Sequence, residues 1–565
     1  MDYQAFLEQF HISPNQEQAQ AISHEQGPAL VLAGPGSGKT TVITARCAVL
    51  VHKMELGRLL RTGILTVAFN RAAAKEMEER YESIFQNRKP EGKKVSFSTF
   101  HSFCNGIIAR YESLYQVKFM RIEEANREQF LAALYEQQNG IFLQPAERKK
   151  LANEISRMKN NLNPSGTILS SSNFKNMQAL FTAYEALKKE KHYIDFDDML
   201  FEAHHILKNH PRILREIQET YGFVQVDEGQ DLSAIQMEIL TMLGKNVFIV
   251  GDDDQGIYGF RGAKPESLVY LERYFSNCTT YWLKQNYRST GEIVGTADAV
   301  IRQNKVRLQK SFFTEQGKGR KPKCKQFVDD RDWLSFLHAT INQNNGDSFG
   351  VLYRNGASAI LPMLLCFKAG IPFTVSGGIG NFFDSFVTQE LVAMFAFETT
   401  QKRIFQKKPH KVLREYLQNG YLRELRLRCE KMSLRYADML RYVSAWEYLV
   451  SDLQRCDQIE PYLEKFYAAV KNGVEQKKSE LVHLSTVHSA KGLEYDVVFV
   501  IDLYDGEFPK RCGEEELSEE RRLFYVAMTR AKQTLFMLYP TKRFDLQLKP
   551  SLFWEEAKKA RREKR

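Results

Sequence analysis

Long apolar runs are missing from this 565-residue chain. None approaches the roughly 18 residues that a membrane-spanning helix needs, so no membrane partner is expected. The opening stretch, Met1 to Phe10, has neither a basic start nor an apolar core, which argues against a signal peptide. Eight cysteines occur, at 47, 104, 278, 324, 366, 429, 456 and 512. They form no Cys-x-x-Cys pair and no His/Cys group with zinc spacing. They read as small core hydrophobes in a reducing compartment, and a cytoplasmic location is expected. No internal sequence repeat stands out.

What is present is ordinary in composition, with 43% hydrophobic and 26% charged residues, as in soluble globular proteins. The length implies about three or four domains. A net charge of +10 suggests a polyanionic partner. The surplus is uneven, since residues 400–480 hold 17 Lys/Arg against 11 Asp/Glu. Such a stretch reads as a solvated helical face or, given its bias, as a nucleic-acid contact.

The most informative run is Leu32-Ala33-Gly34-Pro35-Gly36-Ser37-Gly38-Lys39-Thr40, followed by Thr41 and a helix-forming stretch. An apolar strand leads into a glycine-rich turn ending Gly-Lys-Thr. The glycines let backbone N–H groups converge on phosphate oxygens, Lys39 reaches the terminal phosphates, Thr40 offers a hydroxyl to Mg²⁺, and the helix N-terminus adds a favourable dipole.

Short buried-strand runs recur at 29–34, 64–69, 95–100, 223–227 and 247–251. Helical stretches separate most of them, which predicts a parallel α/β sheet. A second set, at 281–285, 350–354, 373–376, 482–487, 497–503 and 534–538, predicts a second such sheet. Charged, helix-patterned segments interrupt both. In Phe223-Val224-Gln225-Val226-Asp227-Glu228, a strand ends in two carboxylates that point to opposite faces. Asp227 can hold the Mg²⁺ that Thr40 binds, and Glu228 can orient and deprotonate the attacking water.

From here the chain resembles superfamily 1A DNA helicases of the UvrD/Rep/PcrA type. Asp227-Glu228-Gly229-Gln230-Asp231 is similar to their DExQD box. Ile12-Ser13-Pro14-Asn15-Gln16 resembles the adenine-reading Q motif, where the Gln16 amide can make a bidentate pair with adenine. Ala68-Phe69-Asn70-Arg71-Ala72-Ala73 resembles motif Ia, and Thr99-Phe100-His101-Ser102-Phe103 motif Ib. Residues 251–263, from Gly251-Asp252-Asp253-Asp254-Gln255 through Tyr258 and Phe260, resemble motif III. Gln285-Asn286-Tyr287-Arg288-Ser289-Thr290 resembles motif IV, Thr486-Val487-His488-Ser489-Ala490-Lys491-Gly492-Leu493-Glu494 motif V, and residues 520–531, ending Met528-Thr529-Arg530-Ala531, motif VI.

The resemblance implies two RecA-like domains with parallel sheets, each interrupted by a mainly helical insertion. The implied boundaries are 1–104 with 195–275 for the first ATPase domain, 105–194 for its insertion, and 276–399 with 481–550 for the second. A shortened basic insertion at 400–480 and a basic tail at 551–565 complete the chain. Gly34, Gly36, Ser37, Gly38, Lys39, Thr40 and Thr41 would cradle ATP, with Mg²⁺ on Thr40 and Asp227. Gln16, Tyr287 and Arg46 would sit by the nucleotide, with Tyr287 on the adenine and Glu494 at the ribose. Arg288 and Arg530 would reach the γ-phosphate as arginine fingers, and Gln255 would sense it. Asn70, Thr99, His101, Thr486 and His488 would meet DNA phosphates, while Tyr258 and Phe260 would stack on bases.

Three departures stand out. Phe260 replaces the usual Trp, Phe69 adjoins Asn70 instead of preceding it by two places, and Gly229 occupies a position where bulkier residues are common. The second insertion is short and carries no obvious glycine-rich duplex-contacting motif. The implied activity is a DNA-dependent ATPase that translocates 3′ to 5′ on single-stranded DNA and unwinds junctions, in repair or replication. The alternatives are a translocase that strips proteins with little unwinding, or a nucleotide-switched subunit of a repair or defence complex that meets a protein partner through 400–480 or the tail. No carboxylate-plus-lysine cluster of nuclease type lies outside these motifs.

Overall fold

The computed structural model describes residues 13–59, 62–85, 95–160, 174–259, 262–343, 346–400, 407–475 and 481–563. The chain divides into two compact units, Met1–Gln285 with Val306–Ser311, and Asn286–Lys305 with Phe312–Arg565. Among the described residues, no helix is long and apolar enough to cross a membrane.

The first unit is built on β1 (Ala29–Ala33), β2 (Gly63–Ala68), β3 (Val95–Thr99), β4 (Tyr221–Val226), β5 (Val247–Gly251) and β6 (Thr279–Leu283). They pair in the order β3-β2-β4-β5-β1-β6, parallel at each junction. β1 and β5 are buried at every position, which is why both read as unbroken apolar runs. Helices α1 (Gln16–Ile22), α2 (Lys39–Glu55) and α3 (Phe100–Tyr115) flank the sheet. One strand departs from expectation. The run at 281–285 was assigned to the second sheet, but β6 lies beside β1, with Tyr281 opposite Val31. β6 stands last in the strand order and is exposed or half-exposed along most of its length, as the edge of the first sheet.

The first insertion carries α4 (Glu124–Asn139), α5 (Pro145–Asn160) and α6 (Met177–Glu190), with α7 (Asp198–Asn209) following. Leu131, Tyr135, Leu151, Ile155, Leu180 and Tyr184 form its separate core. Its base is ionic. Lys188 bonds Asp195 at 3.0 Å and Asp198 at 2.8 Å, and Arg127 pairs with Asp197 at 2.9 Å. These charges are almost fully buried, so each relies on its partners.

The second unit pairs β7 (Lys323–Phe327), β8 (Phe349–Tyr353), β9 (Phe373–Ser376), β10 (Val482–Thr486), β11 (Tyr495–Val500) and β12 (Ala531–Pro540) in the order β7-β12-β11-β8-β10-β9, again all parallel. β7 was not expected from the sequence, because its Lys-Cys-Lys-Gln-Phe pattern is that of a half-exposed edge. Helices α8 (Pro409–Tyr416), α9 (Leu422–Lys431), α10 (Tyr436–Val450) and α11 (Ile459–Glu475) form the second insertion. Its buried Leu413, Leu440, Trp446 and Phe466 belong to one continuous cluster with Phe349, Val351, Leu484 and Phe499 of the sheet. The two insertions therefore differ in kind, one having its own core and the other sharing the core of its host sheet.

Candidate functional site

Lys39 opens α2 directly after the glycine-rich turn. Gly36 and Gly38 take φ values of +67° and +82°, a region that glycine enters without steric cost. At Gly38 a Cβ would also lie 2.8 Å from Gln18 Nε2. The turn is stapled from within, as Ser37 Oγ donates to the Gly34 carbonyl at 2.8 Å. Gln18 Nε2 donates to the Ser37 carbonyl at 3.0 Å. Thr44 Oγ1 donates to the Thr40 and Thr41 carbonyls at 2.9 and 3.2 Å. The Lys39 ammonium is buried and has no hydrogen-bond partner. A buried cation without a bonded acceptor, beside a helix N-terminus, fits an anionic group such as a phosphate.

Asp227 follows β4 and is held in line by its N–H, which donates to the Val67 carbonyl at 2.9 Å. Its Oδ1 accepts from the Glu228 N–H at 3.0 Å. Glu228 has a φ of +53°, which turns the chain sharply at the strand end. A chain of side chains runs onward from it. Gln230 Nε2 donates to the Glu228 carboxylate, and Gln230 Oε1 accepts from the Asp252 N–H at 2.9 Å. Gln255 Nε2 donates to Asp252 Oδ2 at 2.6 Å. Glu228 and Gln255, assigned separately from the sequence, are thus members of one network.

Gly229 now has a physical reason. A Cβ there would lie 2.3 Å from Ile249 Cγ2 on β5, so the turn packs too closely for any side chain. Asp252, Asp253 and Asp254 lie close enough together to suggest a metal site. Lys310 bonds all three, so a protein cation already sits among them. Burial opposes ionisation of Asp252, but Lys310, Lys39 and the Gln255 amide together hold its carboxyl below the usual range.

Arg46 is a correction. It was expected by the nucleotide, but it is fully buried in the core. Its guanidinium donates to Gln225 Oε1 at 2.7 Å and to the His24 carbonyl at 3.1 Å, and lies over the Phe248 ring. Burial lowers its pKa to about 10. Residues on every side of α2 around it are buried, so its side chain faces the core. Gln16 is exposed at the start of α1, while Asn15 and Gln18 form the capping box that fixes that helix.

In the second unit Arg288 and Arg530 meet at Thr529. Arg288 Nη1 donates to the Thr529 carbonyl at 3.3 Å and Arg530 Nη2 to its hydroxyl at 3.1 Å. Arg288 Nε also pairs with Glu494 at 2.6 Å, and Lys532 approaches the same carboxylate at 3.2 Å. Burial raises the Glu494 pKa, but these cations outweigh it and hold the carboxyl below its usual range. Tyr287 is 41% exposed.

Each unit also carries the same strand-end turn. β3 ends Ser98-Thr99-Phe100-His101-Ser102 and β10 ends Ser485-Thr486-Val487-His488-Ser489. Thr99 Oγ1 donates to Ser102 Oγ at 2.9 Å and Thr486 Oγ1 to Ser489 Oγ at 3.0 Å. Ser98 and Ser485 each donate to the following threonine's carbonyl, at 3.0 and 2.9 Å. The echo is five residues long, too short to stand out as a sequence repeat. Asn70 Oδ1 caps the next helix by accepting from Ala73 N–H at 2.8 Å.

Aromatic rings cluster near these turns. Phe69 stacks on Tyr258 with centroids 4.5 Å apart, which settles the direction of the displaced motif Ia aromatic. Phe260 lies outside the described residues. Phe196, not singled out from the sequence, stacks on His101 and is 51% exposed. Its signal was available, as an aromatic between carboxylates in Asp195-Phe196-Asp197. For Gln18 and Lys310 nothing in the sequence names the partner.

A sequence model of the UvrD/REP helicase N-terminal domain matches residues 14–276. One of the UvrD-like helicase C-terminal domain matches residues 281–443 and 457–542. The chain is 27% identical over 617 residues to an ATP-dependent DNA helicase PcrA of Staphylococcus aureus (strain MRSA252), spanning 94% of this chain and 83% of that protein. It is 28% identical over 610 residues to a putative ATP-dependent DNA helicase YjcD of Bacillus subtilis (strain 168), with 94% and 79% covered. A probable DNA helicase II homolog of Mycoplasma capricolum is 29% identical over 650 residues, with 96% and 87% covered.

Proposed function

Because the chain belongs to the UvrD/REP helicase family, we propose that it is an ATP-driven motor that moves 3′ to 5′ along single-stranded DNA and separates the duplex ahead. Membership makes it a DNA-dependent ATPase of the helicase class. The finer reading rests on its own residues. Lys39 and the N–H groups of residues 34–40 bind the phosphates of ATP. The hydroxyl of Thr40 and the carboxylate of Asp227 are hard oxygen donors of the kind Mg²⁺ prefers. The ion, when bound, neutralises phosphate charge. Glu228 takes the proton of the attacking water, and Gln255 reads the γ-phosphate. Arg288 and Arg530 supply positive charge to the phosphoryl group in the transition state. Gln16, Tyr287 and Glu494 recognise the nucleoside.

The observation that carries the motor reading is the repeated strand-end turn. Thr99 and Thr486 make the same bond to a serine three residues on at the ends of β3 and β10, and His101 and His488 hold matching places in the two turns. Two equivalent phosphate grips on separate units are what stepwise movement needs. Asn70 adds a further polar contact, and Phe69, Tyr258 and Phe196 offer π-faces to bases without sequence preference.

Steady-state ATP hydrolysis with and without oligo(dT) tests this, with Glu228→Gln as the control. Strong stimulation is expected, falling about 10²- to 10⁴-fold in the variant, the usual weight of a general base. A rate indifferent to DNA would refute the motor. Dissociation times from oligonucleotides labelled at either end then give the polarity.

A second reading, translocation and protein stripping with little unwinding, has one observation in its favour. The second insertion shares the core of its host sheet, so its described residues form no separate body to engage a duplex. Base pairs opened per ATP, set against nucleotides travelled per ATP, separates the two.

A further inference from the structure

Asp252, Asp253 and Asp254 are each at most 3% exposed. Three adjacent buried carboxylates repel one another and lose hydration, so they need counter-charge. One short segment, Val306–Ser311, supplies two cations, in addition to Lys39 at Asp252. Lys310 Nζ lies 2.5 Å from Asp252 Oδ1 and 2.9 Å from Asp254 Oδ2, and also bonds Asp253. Arg307 adds a two-pronged pair to Asp254, at 3.0 and 2.7 Å. The Leu308 N–H donates to Asp253 Oδ2 at 2.9 Å. Lys310 is itself buried, and its charge is sustained by these three partners against burial.

Of the three carboxylates, Asp252 does more than share the lysine. Its second oxygen accepts from Gln255 Nε2 at 2.6 Å, and its N–H donates to Gln230, which bonds Glu228. A displaced Asp252 would release both the phosphate sensor and the base. Arg307 is bonded to Asp254, whereas Lys310 reaches all three carboxylates, so the two cations act on different parts of the acidic run. The chain on both sides of Val306–Ser311 belongs to the second unit. Val306–Ser311 itself belongs to the first unit, and its two cations are part of that unit's network.

We propose that Lys310 is a positioning residue for ATP hydrolysis, setting Gln255 and Glu228 through Asp252 and making their alignment depend on the segment Val306–Ser311. This rests on the reading of Glu228 as base and Gln255 as phosphate sensor.

The test uses the full chain with Lys310→Met, Asp252→Asn and Arg307→Met. The readouts are kcat and KM for ATP at saturating oligo(dT), binding of a non-hydrolysable fluorescent ATP analogue, and Tm. Lys310→Met is expected to lower the DNA-stimulated kcat at least tenfold, with KM and analogue affinity within about twofold. Asp252→Asn keeps the side chain's shape but removes the charge that Lys310 holds, and should give the same split if Lys310→Met fails to fold. Arg307→Met, which removes the two-pronged pair on Asp254 and leaves Lys310 in place, should keep kcat within about twofold. Wild-type kcat in both Lys310→Met and Asp252→Asn overturns the proposal. So does an equal kcat loss in Arg307→Met, which would reduce Lys310 to support of the fold. A wild-type enzyme that DNA does not stimulate and Glu228→Gln does not slow would instead bring down the reading of the site on which the proposal stands.

Discussion

His101 and Phe196 lie flat against each other, their ring centroids 3.8 Å apart and their planes 15° from parallel. His101 lies in the first turn of the helix after β3, and Phe196 directly follows the first insertion. The pair leaves Phe196 about half exposed, a π-face held rigid by its neighbour. If DNA bases stack there, Phe196→Ala should cost about 1–3 kcal/mol of binding, roughly 5- to 150-fold in Kd. Fluorescence anisotropy with labelled oligo(dT) at fixed salt measures this. The KM for ATP should hold steady, and an unchanged Kd would remove Phe196 from the DNA path.

Gly229 is fixed by packing. Its φ is not positive, and the obstacle is Ile249 Cγ2, 2.3 Å from where a Cβ would stand. Gly229→Ala should destabilise the first unit by about 1–3 kcal/mol, the usual range for overpacking. Ile249→Ala removes the clashing methyl, so the double variant should be more stable than the two single costs summed. Thermal unfolding of the four proteins gives the coupling. Additive losses would show that Ile249 is not the obstacle.

A pH dependence follows from His24. Its Nε2 faces the Gly27 carbonyl at 3.1 Å, which can only accept, so that nitrogen carries the proton. Nδ1 then accepts from the Tyr281 hydroxyl at 3.1 Å. Burial, with Arg46 nearby, lowers the His24 pKa despite the Gly27 bond. A base whose folded pKa is depressed contributes stability that is present above its unfolded pKa, near 6.5, and lost as pH falls through the folded value. Between pH 8 and 5 the Tm of wild type should therefore drop more steeply than that of His24→Phe. Parallel curves would show that His24 does not titrate with unfolding.

Much of the candidate site's local geometry was readable because its parts are local. The turn at residues 34–40 needs glycine at set positions, and β4 must end in its two carboxylates, so a few consecutive residues carry each element. Arg46 was misread by position in a motif, although α2 is apolar on every side around it, a pattern that marks a buried helix. What stayed hidden was pairing across the chain. Lys310 meets Asp252 from 58 residues away, and Gln18 meets Ser37 from 19. β6 could not be assigned to a sheet by its own residues, since either sheet offers an apolar edge. Register and long-range ion pairs belong to the folded chain, and no local period encodes them.

The shared core of the second insertion is the feature that most separates it from the first, and Arg441 is its anchor. Arg441 is fully buried on α10. It pairs with Asp502 at 3.1 Å, with Glu507 at 2.8 Å, and with Asp438 and Tyr504. Asp502 follows β11, so this cluster ties the insertion to the sheet. Arg441→Met leaves two buried carboxylates short of charge, which typically costs about 3–5 kcal/mol. Because Leu440 and Trp446 share one cluster with Val351 and Phe499, the loss should be felt by insertion and sheet together. Limited proteolysis across a denaturant series is expected to expose sites in 409–475 and in β8–β11 over one transition, shifted to lower denaturant in the variant. Cleavage of the insertion while the sheet remains protected would mean that it unfolds on its own, and the shared core would then not couple them.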